Sequence, residues 1–298
     1  MPVIGFLSAT DGTLALASGH FHEGLARVGY VEGRNVTIEV TSASGQYERL
    51  PALAAELVRR HVTVIATAAP VSARAAKAAT TTIPIVFALG SDPIKDRLVA
   101  SLNRPGGNIT GVTFFANLLS AKRLELLHRI VPTVTTIGVL ANPENANVDF
   151  ELHETEVAAH ELGLQLVVAN ATSAGDIDAA FSTFSAQKAG AVFITGDAFF
   201  TARRSQIAAL GIRYKLPTTL ALREFAEAGG LMTYGANRTE SYLQFGIYVG
   251  RVLKGEKPAD LPVQQPTKFE LVINIKTAKA LGIEIPNSIL LIADEQIE

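Results

Sequence analysis

Cysteine is absent from the 298 residues. That removes disulfides, thiolate zinc sites and cysteine nucleophiles together, and it selects neither a reducing nor an oxidising compartment. No run of about 20 apolar residues occurs, so the sequence offers no membrane-spanning helix. A charge excess is missing too: 26 basic residues stand against 28 acidic ones, a formal net charge of −2. The longest basic runs are the pairs Arg59-Arg60 and Arg203-Arg204. They read as solvated helix faces, not as the basic stripe of a nucleic-acid binder. Met1-Pro2 leads straight into Val3-Ile4-Gly5-Phe6-Leu7, without a basic region, an apolar region and a cleavage site. The expectation is a cytosolic protein, or one whose targeting segment has been trimmed.

Several chemistries lack their motifs. After the first strand stands Ser8-Ala9-Thr10-Asp11-Gly12 rather than Gly-x-Gly-x-x-Gly. Walker A and Gly-x-Ser-x-Gly patterns do not occur. The six histidines are His20, His22, His61, His128, His153 and His160, with no His-Glu-x-x-His pair. They read as surface residues; neither a transition metal nor another cofactor is expected.

What is present is apolar and periodic. Hydrophobic residues make up 48% and charged residues 18%, the balance of a folded protein. At about 150 residues per domain the length suggests two domains. Short β-branched runs predict strands at Val3–Leu7, Val36–Val40, Val62–Ala66, Ile83–Phe87 and Ile109–Thr113. A second set follows at Thr136–Leu140, Gln165–Val168, Ala191–Thr195, Pro217–Ala221 and Leu231–Tyr234. Several are apolar throughout, as in parallel sheets covered on both faces. Between them the period is helical: Leu50, Leu53, Ala54, Leu57 and Val58 share one helix face, as do Leu124, Leu127 and Val131 before Pro132. The second strand set repeats the first at shifts between 122 and 134 residues, a repeat of pattern rather than of letters. Two similar α/β lobes with right-handed crossovers follow from it. Beyond Tyr234 come a helix at Glu240–Leu253, a run at Phe269–Ile275, a helix at Thr277–Leu281 and an apolar run at Ile289–Ala293. This tail is too small for a third domain and must complete one or both lobes.

In open parallel sheets ligands bind beyond the carboxyl ends of the strands. Five such loops are polar or helix-initiating: Ser8, Thr10 and Asp11; 67–72 with Ala68, Ala69 and Pro70; Gly90-Ser91-Asp92-Pro93; Asn142-Pro143-Glu144-Asn145; and Gly196-Asp197. Ala69-Pro70 and Ser91-Asp92-Pro93 have the form of helix starts whose free N–H groups receive an anion. Asp197 has two compatible readings, a seat for an ammonium group and an N-cap for the helix after it. Phe199, Phe200, Phe225 and Tyr234 are candidates to wall an apolar ligand, although core packing is the commoner fate of such residues.

The blocks Ile83–Phe87 with Ser91-Asp92-Pro93, and 98–112 around Arg104-Pro105-Gly106-Gly107-Asn108, resemble the substrate-binding proteins of ABC transporters. The segments 29–36, Lys122-Arg123-Leu124-Glu125-Leu126-Leu127, Ala228–Gly235 and Pro266–Asn274 extend the likeness over essentially the whole chain. More narrowly, they resemble a branch of that family related to tryptophan/tyrosine-type binders. The resemblance implies a type I periplasmic-binding-protein fold: two doubly wound parallel-sheet α/β lobes joined by three crossovers. The expected lobes are residues 1–113 plus about 237–266, and about 114–236 plus 267–298, with hinges near Phe114, Gly235-Ala236 and Thr267. By the same resemblance the first loop, the Ala69-Pro70 start and Ser91-Asp92 line the first lobe; Asn142, Glu144 and Asp197 line the second. Aromatic amino-acid binders of the group carry an acidic residue where Asp197 stands, but the histidine common in their first loop is missing here.

The expectation is an extracytoplasmic solute-binding protein, not an enzyme. It would capture an amino acid or carboxylate in the inter-lobe cleft by hinge closure and deliver it to an ABC permease. It is expected to be a monomer, periplasmic or a cell-surface lipoprotein, without nucleic-acid partners. The ligand-binding candidates are Ser8, Thr10, Asp11, Ala68, Ala69, Pro70, Gly90, Ser91, Asp92, Asn142, Glu144, Asn145, Asp197, Phe199, Glu224 and Tyr234. Two alternatives stand beside it. One is an α/β enzyme using Asp11, Asp92 and Asp197 as acid and base; the other is the effector-sensing core of a regulator, which would need an N-terminal DNA-binding segment.

Overall fold

The computed structural model describes residues 1–11, 16, 19–114, 119–145, 147–265 and 268–298. Gly12, Pro266 and Thr267, quoted above, lie outside them. From the N-terminus come β1 (Val3–Ser8), α1 (His20–Arg27), β2 (Thr37–Ser42), α2 (Leu50–Arg59), β3 (Val64–Thr67), α3 (Pro70–Ala79), β4 (Ile85–Leu89) and β5 (Ile109–Thr113). Then follow α4 (Ser120–Ile130), β6 (Thr136–Ala141), α5 (Val148–Glu161), β7 (Gln165–Asn170), α6 (Ala174–Ala186), β8 (Ala191–Ile194), α7 (Ala198–Ala202), α8 (Arg204–Tyr214) and β9 (Thr218–Leu220). The chain ends through α9 (Arg223–Glu227), β10 (Met232–Ala236), α10 (Arg238–Leu253), β11 (Phe269–Asn274), α11 (Ile275–Leu281), α12 (Asn287–Leu290) and β12 (Glu295–Ile297).

Two compact units emerge, Met1–Phe115 with Asn237–Thr267 and Ala116–Ala236 with Lys268–Glu298, so the chain passes between them three times. The first unit holds a parallel sheet in the order β2-β1-β3-β4-β5. Strands β3, β4 and β5 are buried along their whole length, which explains their unbroken apolar runs. The second unit's sheet runs β7-β6-β8-β9-β10-β11-β12, parallel throughout except for the β10–β11 pair. Its first five strands repeat the order of the first unit, so the repeat of spacing is a repeat of topology.

In the first unit α1 lies against α10 at van der Waals distance because both carry glycine at the crossing. A Cβ on Gly24 would stand 2.0 Å from the Leu243 carbonyl oxygen, and one on Gly246 would stand 2.1 Å from that of Phe21. The close approach drives Phe21 and Phe245 to 4.9 Å between ring centroids, with Phe6 of β1 at 5.8 and 6.1 Å. Gly29, at φ 89°, supplies the left-handed residue that ends the helix. In the second unit Leu124, Leu127 and Ile130 of α4 pack onto Ile137, Val139 and Phe193 of the sheet.

One expectation is corrected. No helix begins at Ser91-Asp92-Pro93: Asp92 Oδ1 accepts from the Ile94 and Lys95 amides in a run of turns, and Arg97, at φ 55°, breaks the chain out of helical geometry. The apolar run 289–293 starts in α12, where Ile289 is fully buried, and continues past the helix end to the exposed Leu291; the short strand β12 follows it. Glu295 of β12 is clamped by the Arg223 guanidinium on α9. Among the described residues no helix is long and apolar enough to cross a membrane.

Candidate functional site

The polar loops stand at the carboxyl ends of the strands, and each unit carries its own group. In the first unit the buried Ser8 closes a small turn: its hydroxyl donates to the Thr10 carbonyl and accepts from the Thr10 amide. The Ser8 carbonyl accepts from the Ala43 amide at 3.0 Å, which ties this turn to the end of β2. Asp11 is exposed, and the Ser44 hydroxyl donates to its Oδ1 at 2.9 Å. Hydrogen bonds from Ser42 and Ser44 hold its carboxyl below the ordinary aspartate range.

At the end of β3, Ala69 is extended (φ −149°, ψ 147°) and Pro70 opens α3. Proline fits there because the first helical N–H has no intrahelical acceptor in any case. No side chain caps this helix. The buried Thr67 and Ser72 hydroxyls bond to each other, and Ser72 also donates to the Ala69 carbonyl, so the nearby hydroxyls are already engaged. Ala68, Ala69 and Pro70 thus present backbone and small side chains around a helix start with a partial positive charge. Gly90 is half-buried. The buried Ser91 hydroxyl donates to Asp96, whose other oxygen meets Arg74 at 3.1 Å. Ser91 and Asp92 are therefore tied into local turn chemistry.

In the second unit the loops after β6 and β8 are laced together. Asn142 donates from Nδ2 to Asp197 Oδ1 at 3.1 Å, and Asn145 donates from Nδ2 to the Gly196 carbonyl at 2.9 Å. The two asparagines also fold their own loop, Asn142 Oδ1 accepting from the Glu144 amide and Asn145 Oδ1 from the Asn147 amide. The Glu144 side chain is exposed, and its backbone amide is what closes the loop. Asp197 is 7% exposed and caps α7, accepting from the Phe199 amide at 2.8 Å. Phe199 is 8% exposed, with Arg203 5.8 Å above its ring.

The other aromatic candidates part company with this group. Phe200 and Phe225 are fully buried, and Phe225 packs on Gly230, where a Cβ would come within 2.2 Å of the ring. These two are core residues, not ligand walls. Tyr234 packs against the second unit's core beside Phe269, with 6.4 Å between ring centroids. Glu224 lies in the first turn of α9, with its Oε2 buried and without a hydrogen-bond partner among the described residues. Among the described residues no group of three or more His, Asp or Glu is arranged to hold a metal ion.

Sequence reasoning missed an ion pair bonded to the backbone just before Asp197. Arg123 of α4 and Glu151 of α5 are 0% and 1% exposed and meet at 3.1 Å. Burial pushes the Glu151 carboxyl above and the Arg123 guanidinium below their ordinary ranges, each opposed by the other's charge. One signal was available: Arg123 stands at i−4 and i−7 from Leu127 and Ile130, on the apolar stripe of its own helix.

A family model described as ABC transporter substrate binding protein matches residues 2–297. A tyrosine-binding protein of Clostridioides difficile (strain R20291) is 25% identical over 272 residues, 91% of this chain and 78% of that protein. A conserved domain protein of Vibrio cholerae O1 biovar El Tor is 28% identical with a TM-score of 0.90, and 99% of both chains is covered. An ABC domain from Streptococcus pneumoniae, solved in complex with L-Trp, is 27% identical with a TM-score of 0.89, again over 99% of both chains.

Proposed function

The chain belongs to the family of ABC transporter substrate-binding proteins, and from that premise we propose that it captures a free amino acid with an aromatic side chain and delivers it to a membrane permease. The observation that carries this reading is Asp197. A buried carboxylate at a strand end, held by Asn142 and the Phe199 amide, is fixed in place to receive an ammonium group through a charge-assisted hydrogen bond. In the first unit the uncapped helix start at Ala69-Pro70 is, by itself, suited to a carboxylate. A zwitterion presents both charges. The aromatic preference is supported by the relatives that bind tyrosine and tryptophan and by Phe199 next to the amine seat.

The protein acts by binding alone, outside the cytoplasm and as a monomer. Asp11 and Asp92, the other carboxylates open to an acid–base role, are engaged by Ser44 and by the Ile94 amide. The test is a thermal-shift screen of the amino acids, their des-amino acids, simple carboxylates and sugars. L-tyrosine or L-tryptophan should raise the melting temperature, while sugars leave it unchanged. A response to sugars alone, or turnover of any amino acid, overturns the reading.

A further inference from the structure

The Arg123–Glu151 pair is buried, charged and used by neither the core nor the proposed ligand contacts. Its connections run to one place. Glu151 Oε2 accepts from the Gly196 amide at 2.7 Å, while its Oε1 accepts from the Ser120 hydroxyl at 2.9 Å and from Arg123 Nη2 at 3.1 Å. The same Nη2 donates to the Ile194 carbonyl at 2.8 Å, and the guanidinium lies 4.1 Å from the centroid of the Phe193 ring. The Gly196 carbonyl, on the other side, accepts from Asn145. Glu151 therefore grips the peptide N–H immediately before Asp197, and Arg123 grips the strand end two residues earlier.

The arrangement is costly. Two charges are taken out of water, and Arg123 Nε and Nη1 are buried without a hydrogen-bond partner among the described residues. A buried ion pair of this kind commonly adds little stability over apolar residues of similar volume, which leaves a conformational role to be considered. The segment to which the pair is bonded is 194–196, just before Asp197.

We propose that Glu151, charge-balanced by Arg123, is the positioning residue of the amine seat: it never meets the ligand, but by holding the Gly196 N–H it aims the Asp197 carboxylate. The pair gives the Lys122-Arg123-Leu124 block a role that a packing helix alone does not require. Only the binding arm of the following test rests on the reading of Asp197 as the amine seat.

The first arm uses the ligand-free wild-type protein. Bonded to a buried carboxylate, the Gly196 amide proton should resonate well downfield and exchange slowly. An ordinary shift with fast exchange overturns the proposal without any variant. The second arm is Glu151→Asp, which keeps the charge opposite Arg123 but retracts the carboxylate by one methylene. Exchange at Gly196 and Phe199 should quicken at least tenfold while Val139, in the sheet core, is unaffected. Equal exchange at all three contradicts it. In the binding arm, E151D should weaken L-tyrosine or L-tryptophan at least tenfold, leave the des-amino acid unchanged, and have no further effect in a D197A background. A merely structural role would lower the melting temperature and leave the affinity of the folded protein untouched. If the wild-type protein binds no amino acid, the functional reading fails, and the exchange arms still decide the role of Glu151.

Discussion

At Asp197 one carboxylate caps a helix and, in the proposed complex, binds an ammonium group. Two substitutions separate these duties. Asp197→Ala removes both: the lost cap should cost about 1 kcal/mol of stability, and loss of the charged hydrogen bond should weaken an amine-bearing ligand by more than about 1.5 kcal/mol. Asp197→Asn keeps a capping oxygen, so chemical denaturation should find near-native stability while calorimetry finds a comparable loss of affinity. Unchanged affinity in both variants removes Asp197 from the site. The cap at Asp197 was legible because an aspartate between a strand end and a helical run is a helix-start signal. Arg123 and Glu151 were not, because a helical charge reads as solvated until the tertiary packing that buries it is known. Tyr234, in the middle of β10, packs partly buried against the second unit's core beside Phe269, a placement that strand spacing alone does not give.

Among the elements, α1 and α10 show how little room a packed crossing leaves. A methyl group at Gly24 or Gly246 would meet backbone rather than a flexible side-chain tip, so the helices must part. Gly246→Ala should therefore destabilise the protein by about 1–3 kcal/mol, the usual cost of overpacking, read as a lowered urea midpoint with an unchanged slope. A neutral effect would show that the helices are not held this close. At the other end of the chain, β12 depends on Glu295. Its hydrogen bond from Arg223 holds the carboxyl below the ordinary glutamate range, so the stabilisation is present above the unfolded value of about 4.3. It is lost as pH falls through the lower folded value. The pair is exposed and screened, so the effect is local: on acidification the β12 amides should lose exchange protection before those of β6. Simultaneous loss would contradict the clamp. Strand positions were readable from unbroken apolar runs, but β12 was not. Glu295-Gln296-Ile297 carries no apolar pattern of its own and is a strand only because β11 offers it an edge.

For the molecule as a whole, regular spacing was the strongest signal. A right-handed βα repeat has few ways to fold, and both units took the same one, β2-β1-β3-β4-β5 and β7-β6-β8-β9-β10. The strand-end loops were legible as a set for the same reason, while the ligand was not, since selectivity resides in side-chain placements that spacing does not encode. The hinge closure that the family resemblance implies predicts that saturating ligand reduces the radius of gyration in small-angle scattering; an unchanged radius would speak against closure. Mass action should add about 2.7 kcal/mol of stability at a hundredfold excess over Kd. The most direct measurement is titration calorimetry of the wild-type protein with an aromatic amino acid and, in parallel, with the same acid lacking its amino group. Capture of a zwitterion predicts saturable one-to-one binding of the first and at least tenfold weaker binding of the second. Equal affinity for the two, or heat from neither, would contradict the account.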